Sequence, residues 1–154
     1  MVNFPPVLIL AGGLGTRISA IYPDIPKGLV PVNGEPFVAH QLRLLARENV
    51  REVILCVGHL SEALTTYVGS GEAFGISVRY SHDGEHLLGT GGAIRKASKK
   101  IEVPFAVMYG DSYLDTAFAP ILQSFFYTKA QVFYIVKILQ HFSILLFTFC
   151  VLLL

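Results

Sequence analysis

The 154-residue sequence has no tryptophan and only two cysteines. Cys56 and Cys150 stand in unrelated contexts, so their spacing gives neither a disulfide framework nor a thiolate metal site. Cys56 lies in the apolar run Val53-Ile54-Leu55-Cys56-Val57 and reads as a core residue rather than a nucleophile. Net charge is nearly absent as well. The formal value of +1 gives no reason to expect nucleic acid or an acidic surface as partner. The N-terminus lacks a basic segment and carries Pro5-Pro6, which speaks against a secretory leader and leaves a reduced, cytoplasmic setting as the default expectation. No Ser/His/Asp or Cys/His arrangement stands out, so covalent nucleophilic catalysis is not suggested.

Two further absences are regional. No glycine follows Gly110, and no acidic residue follows Asp115. From Thr116 onward the only formal charges are Lys129 and Lys137, while half of the phenylalanines and tyrosines fall after Ala117. Residues 1–116 therefore read as an ordinary α/β domain, and residues 117–154 as an atypical hydrophobic tail.

What the first part does contain is glycine at strand ends. An apolar run at 7–11 stops at Gly12-Gly13-Leu14-Gly15-Thr16-Arg17, as a buried strand opening into a tight loop would. Backbone N–H groups of such a loop can converge on an anion, and Arg17 and Lys27 add two cations. The set suits phosphate. It is neither a complete dinucleotide fingerprint, because a third glycine is missing, nor a Walker A loop, because no Gly-Lys-Ser/Thr follows.

The pattern predicts a long loop over 12–31, a helix from Pro36 to about Glu48, and a strand over 53–57. A short helix over 61–67, a strand over 76–80, a helix over 90–100 and a strand over 105–109 follow. Alternating strands and helices predict a doubly wound, mostly parallel α/β sheet. In such sheets ligands bind beyond the carboxyl ends of the strands. Three features fall there: the first glycine loop, a second one at Leu88-Gly89-Thr90-Gly91-Gly92, and Asp111. The second loop is read two ways, as a helix entry with Thr90 as N-cap and as a place where backbone approaches a flat base or ribose. Asp111 is either a turn residue or a hard oxygen ligand for Mg²⁺. Asp115 is expected to cap the next helix. His82, Asp83, Glu85 and His86 read as a solvated turn around Gly84 rather than a metal cluster, and His40 and His59 as structural or surface residues.

Taken together, LAGGLGTR (10–17), PKGLVPVNGEP (26–36), LLGTGGAIRKA (87–97) and YGDSYLD (109–115) resemble the sugar-phosphate nucleotidyltransferases, with the GTGGA form similar to their heptose- and hexose-1-phosphate guanylyltransferase branch. The resemblance implies a Rossmann-like nucleotidyltransferase fold. It also implies transfer of a nucleotidyl group from an NTP to a sugar 1-phosphate, with release of pyrophosphate and with Mg²⁺ as cofactor. Leu10, Ala11, Gly12, Gly13, Gly15, Thr16, Leu88, Gly89, Thr90 and Gly91 would line the nucleotide. Arg17 and Lys27 would hold the triphosphate, Asp111 the metal. Residues 81–83 lie near where the family reads the base edge, and the glutamine that some members use there is missing. Such chemistry requires positioning and charge neutralisation rather than a strong base, because the attacking phosphate oxygen is already anionic.

The resemblance runs over residues 7–115 and extends to a strand near 131–136. Beyond it no sugar-binding half can be placed, so the fold is expected to be truncated relative to the family. The chain is expected to be a sugar-1-phosphate nucleotidyltransferase, with activity as such a fragment left open, and the alternative is a non-catalytic, regulatory nucleotide- or sugar-nucleotide-binding module. The tail has three readings: foreign sequence, which is favoured; a membrane segment over 132–154; or a hydrophobic helix docked on the sheet. Homo-oligomerisation is left open.

Overall fold

The computed structural model describes residues 4–13, 15, 18–58, 60–128, 132–137 and 147–152, the last two segments as backbone. Among these, Val7–Leu10 (β1) is a four-residue strand whose side chains alternate between two apolar layers. Val7 and Ile9 face one layer, and Leu8 the other. β1 pairs in parallel with Glu52–Val57 (β4) on one side and Phe105–Tyr109 (β6) on the other. Ser77–His82 (β5) extends the sheet beyond β4, again in parallel. Strands buried on both faces need apolar residues at every position, which is why VLIL, VILCV and FAVM read as unbroken runs.

Three helices cover one face. Phe37–Arg47 (α1) brings Val38, Leu42 and Leu45, Ser61–Val68 (α2) brings Leu64 and Val68, and Ala119–Thr128 (α4) brings Leu122 and Phe125. The other face is covered among the described residues by Gly89–Ser98 (α3), through Ala93 and Ala97 over Leu8, Ile54, Cys56, Phe105 and Val107. This is the doubly wound arrangement expected from the alternation of strand and helix.

Local chemistry sets the ends of α1. Pro36, expected as the first helical residue, is instead the N-cap, and the Phe37 N–H donates to the Val30 carbonyl at 3.0 Å. At the other end Asn49 takes a positive φ of 64°, and the Val50 N–H returns to the Leu45 carbonyl at 3.0 Å. Ahead of α1, Pro31–Val32 (β2) and Glu35–Pro36 (β3) form a small hairpin over Asn33-Gly34, both at positive φ. Arg43 of α1 braces it with a paired contact to Glu35, which holds that carboxyl below its ordinary range. The sequence reading merged the start of this hairpin into the long loop.

Two expected caps are corrected. Asp115 does not cap the following helix: α4 starts at Ala119, the Glu48 carboxylate accepts the Phe118 N–H at 2.9 Å, and Asp115 pairs with Arg47 at 2.7 Å. Thr90 is not an N-cap either. α3 begins at Gly89, and no side chain caps it.

The tail holds α4, and its two described segments beyond that helix are strands. Phe147–Leu152 (β8) runs antiparallel to β6, with Phe105 opposite Leu152, and Val132–Lys137 (β7) runs antiparallel to β8. The sheet order is β5-β4-β1-β6-β8-β7. The strand expected near 131–136 is β7. The helical readings of the tail do not describe these two segments, and no helix among the described residues is long and apolar enough to cross a membrane.

Candidate functional site

A cleft of about 250 Å³ opens at the carboxyl ends of β1, β4 and β6. It is lined by Leu10, Ala11, Gly12, Gly13 and Gly15 from the first glycine loop, by Lys27 and Gly28, by Asp83, Leu87, Gly89, Thr90 and Ala93, and by Tyr109, Gly110 and Asp111. The three features that the sequence puts at strand ends thus meet in one place. Leu88 and Gly91 are not among the lining residues. Thr16 and Arg17, like His59, lie outside the described residues.

The floor is made by backbones in close contact. The Ala11 N–H donates to the Cys56 carbonyl at 2.8 Å, and the Gly110 N–H to the Leu10 carbonyl at 3.0 Å. A Cβ on Gly110 would sit 2.7 Å from the Leu10 oxygen and 3.1 Å from the Ala11 Cα, so glycine is required for β6 to turn away this close to β1. Cys56 also lines the cleft at this floor, and burial pushes its thiol up to about 12, helped by the nearby Asp83 charge, which keeps it a neutral core group as expected.

One wall is ionic and partly open. Lys27 stands at the start of a single 3₁₀ turn, Lys27–Leu29, and its ammonium pairs with the Asp111 carboxylate. Their side chains keep 33% and 41% of their exposure, so both groups remain accessible to a ligand in the cleft. Behind Asp111, the Gln41 side chain of α1 donates to the Tyr109 carbonyl at 3.0 Å and to the Ser112 carbonyl at 2.7 Å.

The opposite wall is tied by Asp83. The sequence reading put this residue in a solvated turn, but it is only 9% exposed. Its N–H donates to the Val57 carbonyl at 2.9 Å, and its carboxylate accepts the Leu88 N–H at 3.2 Å. A Cβ on either Gly12 or Gly58 would lie 3.2 Å from the same carboxylate oxygen, so Asp83 fits where side chains are missing on both neighbours. It joins the first glycine loop to the second. Nothing in the polar string HDGEH announces this, because the burial comes from segments far away in sequence. Ser81 and His82 face a different hollow, beside Arg79, Lys96 and Lys100. No group of three or more metal-ligating side chains occurs among the described residues.

Comparison with known proteins identifies the family and the fold. The nucleotidyl transferase family model matches residues 6–141. The D-glycero-alpha-D-manno-heptose 1-phosphate guanylyltransferase of Campylobacter jejuni is 40% identical over 108 residues, covering 70% of this chain and 48% of that protein. The enzyme of the same name from Aneurinibacillus thermoaerophilus is 38% identical, over 68% of this chain and 45% of its own length. The chain therefore spans about half the length of these curated relatives. The crystal structure of HddC from Yersinia pseudotuberculosis superposes with a TM-score of 0.78 at 26% identity, over 97% of this chain and 76% of that one, and a second structure of HddC holds GMP-PN. With the glycine loops, Lys27 and Asp111 gathered at the strand ends of a mostly parallel sheet, the chain belongs to the nucleotidyl transferase family.

Proposed function

We propose that this chain supplies the nucleotide-binding half of a sugar-1-phosphate nucleotidyltransferase that takes GTP. The observation that carries the reading is the single cleft in which Gly12, Gly13 and Gly15, Lys27, Gly89 and Asp111 converge. In the reaction, an oxygen of the sugar 1-phosphate attacks the α-phosphorus of the nucleotide. The bond to the β-phosphate oxygen breaks, and pyrophosphate leaves with the electron pair. The protein's task is to hold the two phosphates in line and offset charge on the leaving group.

The parts divide as follows. Exposed N–H groups of the first glycine loop face the phosphates, and Lys27 neutralises the leaving pyrophosphate, with Arg17 assigned the same task from the sequence alone. Asp111 fits Mg²⁺, which takes one or two carboxylates and fills its remaining positions with phosphate oxygens and water. The accessible Asp111 oxygen, already drawn to a cation in the Lys27 ammonium, supports that fit. Mg²⁺ would supply charge neutralisation across the phosphates. Asp83 supports guanine: that base offers two adjacent N–H donors on its Watson–Crick edge, for which a carboxylate is an acceptor. The two heptose 1-phosphate guanylyltransferase relatives support the same choice and point to a heptose or hexose 1-phosphate as co-substrate.

Titration calorimetry with GTP, with and without Mg²⁺, tests the site. Asp111→Ala is expected to remove the Mg²⁺-dependent part of the affinity, at least about tenfold, and to leave metal-free binding in place. Equal affinities with and without Mg²⁺ in the unsubstituted chain would overturn the metal assignment. A screen of the four NTPs against several sugar 1-phosphates, read as pyrophosphate release, tests turnover. Binding without release on any pair would mark a non-catalytic nucleotide-binding module.

A further inference from the structure

We infer that Gln41 is a positioning residue for the Asp111 carboxylate, and that the buried face of α1 sets the metal-binding geometry of the cleft. The inference rests on the nucleotide-site reading above. Gln41 is 1% exposed, in the middle of a helix face otherwise made of Val38, Leu42 and Leu45. An amide in such a place needs a reason, since an aliphatic side chain would pack there without polar atoms to satisfy.

The reason lies in what its NH₂ group holds. Both hydrogens are used, one on the Tyr109 carbonyl and one on the Ser112 carbonyl. These two carbonyls bracket Gly110 and Asp111. One planar group therefore spans the turn that carries the carboxylate. The turn is pinned from its other side by Gly110, packed against Leu10 and Ala11. Fixed in this way, Asp111 keeps only its own side-chain torsions to adjust.

The amide oxygen of Gln41 is buried and has no hydrogen-bond partner among the described residues. Turning the amide over would satisfy the oxygen no better, because it would then face two carbonyls. The chain tolerates an unpaired acceptor in order to keep two donors on this turn, which favours a positional role over a packing one. Further along α1, Arg47 holds Asp115 and Glu48 holds the Phe118 N–H, so one helix grips the segment after β6 at three places. Gln41 is the one that reaches the carboxylate-bearing turn.

Outer groups of this kind set how well a metal ligand is presented. The test uses Mn²⁺ as probe ion and GTP as nucleotide, on the full chain. Gln41→Met keeps length and apolar packing and removes both donors. We expect the affinity of the GTP complex for Mn²⁺ to fall about tenfold, with metal-free GTP affinity unchanged within about twofold. Equal losses in both, or no loss in either, would overturn the inference. A measurement on the unsubstituted chain keeps the question open to refutation even if the variant does not fold. The Gln41 side-chain amide hydrogens should exchange about 100-fold more slowly than those of the exposed Gln123, and shift when Mg²⁺ and GTP are added together. Exchange as fast as at Gln123, or no shift on adding both, would also overturn it. Failure of the unsubstituted chain to bind GTP overturns the nucleotide site and this inference with it. Normal binding with an indifferent Gln41→Met overturns the inference alone.

Discussion

The two glycine loops look alike in sequence and are built differently. In the first, Gly12 and Gly15 answer to the fold, while Gly13 has nothing within 4 Å of an added Cβ. Gly12 lies where a Cβ would be 3.2 Å from the Gly58 nitrogen and the Asp83 carboxylate, and Gly15 turns through a φ of 61°. In the second, Gly89 takes a φ of 66° at the entry to α3, and a Cβ on Gly92 would lie 2.8 Å from the Leu88 Cβ. Gly91 sits within that helix with nothing inside 4 Å of an added Cβ. A glycine in an open helical position weakens the helix and answers to no neighbour. Each loop thus joins glycines that the fold requires to one, Gly13 or Gly91, that it does not, and they differ in what presses on them: neighbouring backbone and Asp83 at Gly12, the helix's own entry at Gly92.

Substitutions can break this comparison, starting on the side of the first loop. Gly110→Ala puts a Cβ against the Leu10 carbonyl and the Ala11 Cα, both backbone, and should destabilise the chain by about 3 kcal/mol in urea unfolding. A change below about 1 kcal/mol would mean that the strand ends separate easily and that the floor is not rigid. The Cys56 thiol at the same floor sharpens the point through pH. Its folded pKa is raised from 9.0 to about 12, so above pH 9.0 the unfolded chain loses this proton while the folded chain keeps it. Stability contributed by the thiol is intact below 9.0 and falls as pH rises towards 12, by at most about 1.4 kcal/mol per pH unit. Cys56→Ala should flatten the alkaline limb of the stability profile. An unchanged slope would show the thiol reaching solvent.

On the side of the second loop the expected effects are smaller and differ in sign. Gly89→Ala should lose about 1 kcal/mol, because an L side chain is strained at its φ. Gly91→Ala should raise thermal stability by about 0.5 kcal/mol through helix propensity alone. If Gly91→Ala also weakens GTP binding in calorimetry, ligand approach is what holds glycine there. If binding is unaffected, the family-derived role of Gly91 is lost, in keeping with its place outside the cleft lining.

Much of this arrangement was legible in the chain. The strands β1, β4 and β6 are continuous apolar runs ending in glycine or a turn, so both their existence and the location of the cleft follow from one-dimensional pattern. Lys27 and Asp111 could be suspected from chemistry, and their pairing could not, because the two residues are brought together by the fold. Asp83 and Gln41 were hidden for opposite reasons. Asp83 stands in a polar string that resembles a surface turn, and Gln41 stands in an apolar helix face where an amide attracts no notice. The role of each depends on carbonyl and N–H groups from other elements. In the tail, β7 was foreseen near 131–136 and β8 was not, because a hydrophobic run reads as a helix as readily as a strand and β8 gains its identity from the neighbours it pairs with.

The sheet order has a consequence for synthesis on the ribosome. β1 emerges first, yet it lies between β4 and β6, and its second neighbour is not made until Phe105–Tyr109 has been translated. β6 in turn waits for β8 before its far edge is paired. The nascent chain therefore carries an open apolar strand edge until β8 is made, with long-range pairings that form slowly and invite association in the interval. The cleft, whose rim includes both the β1 and β6 ends, does not exist until β6 and Asp111 have been made, so a bound ligand can protect the folded chain and cannot guide the early stages of its folding.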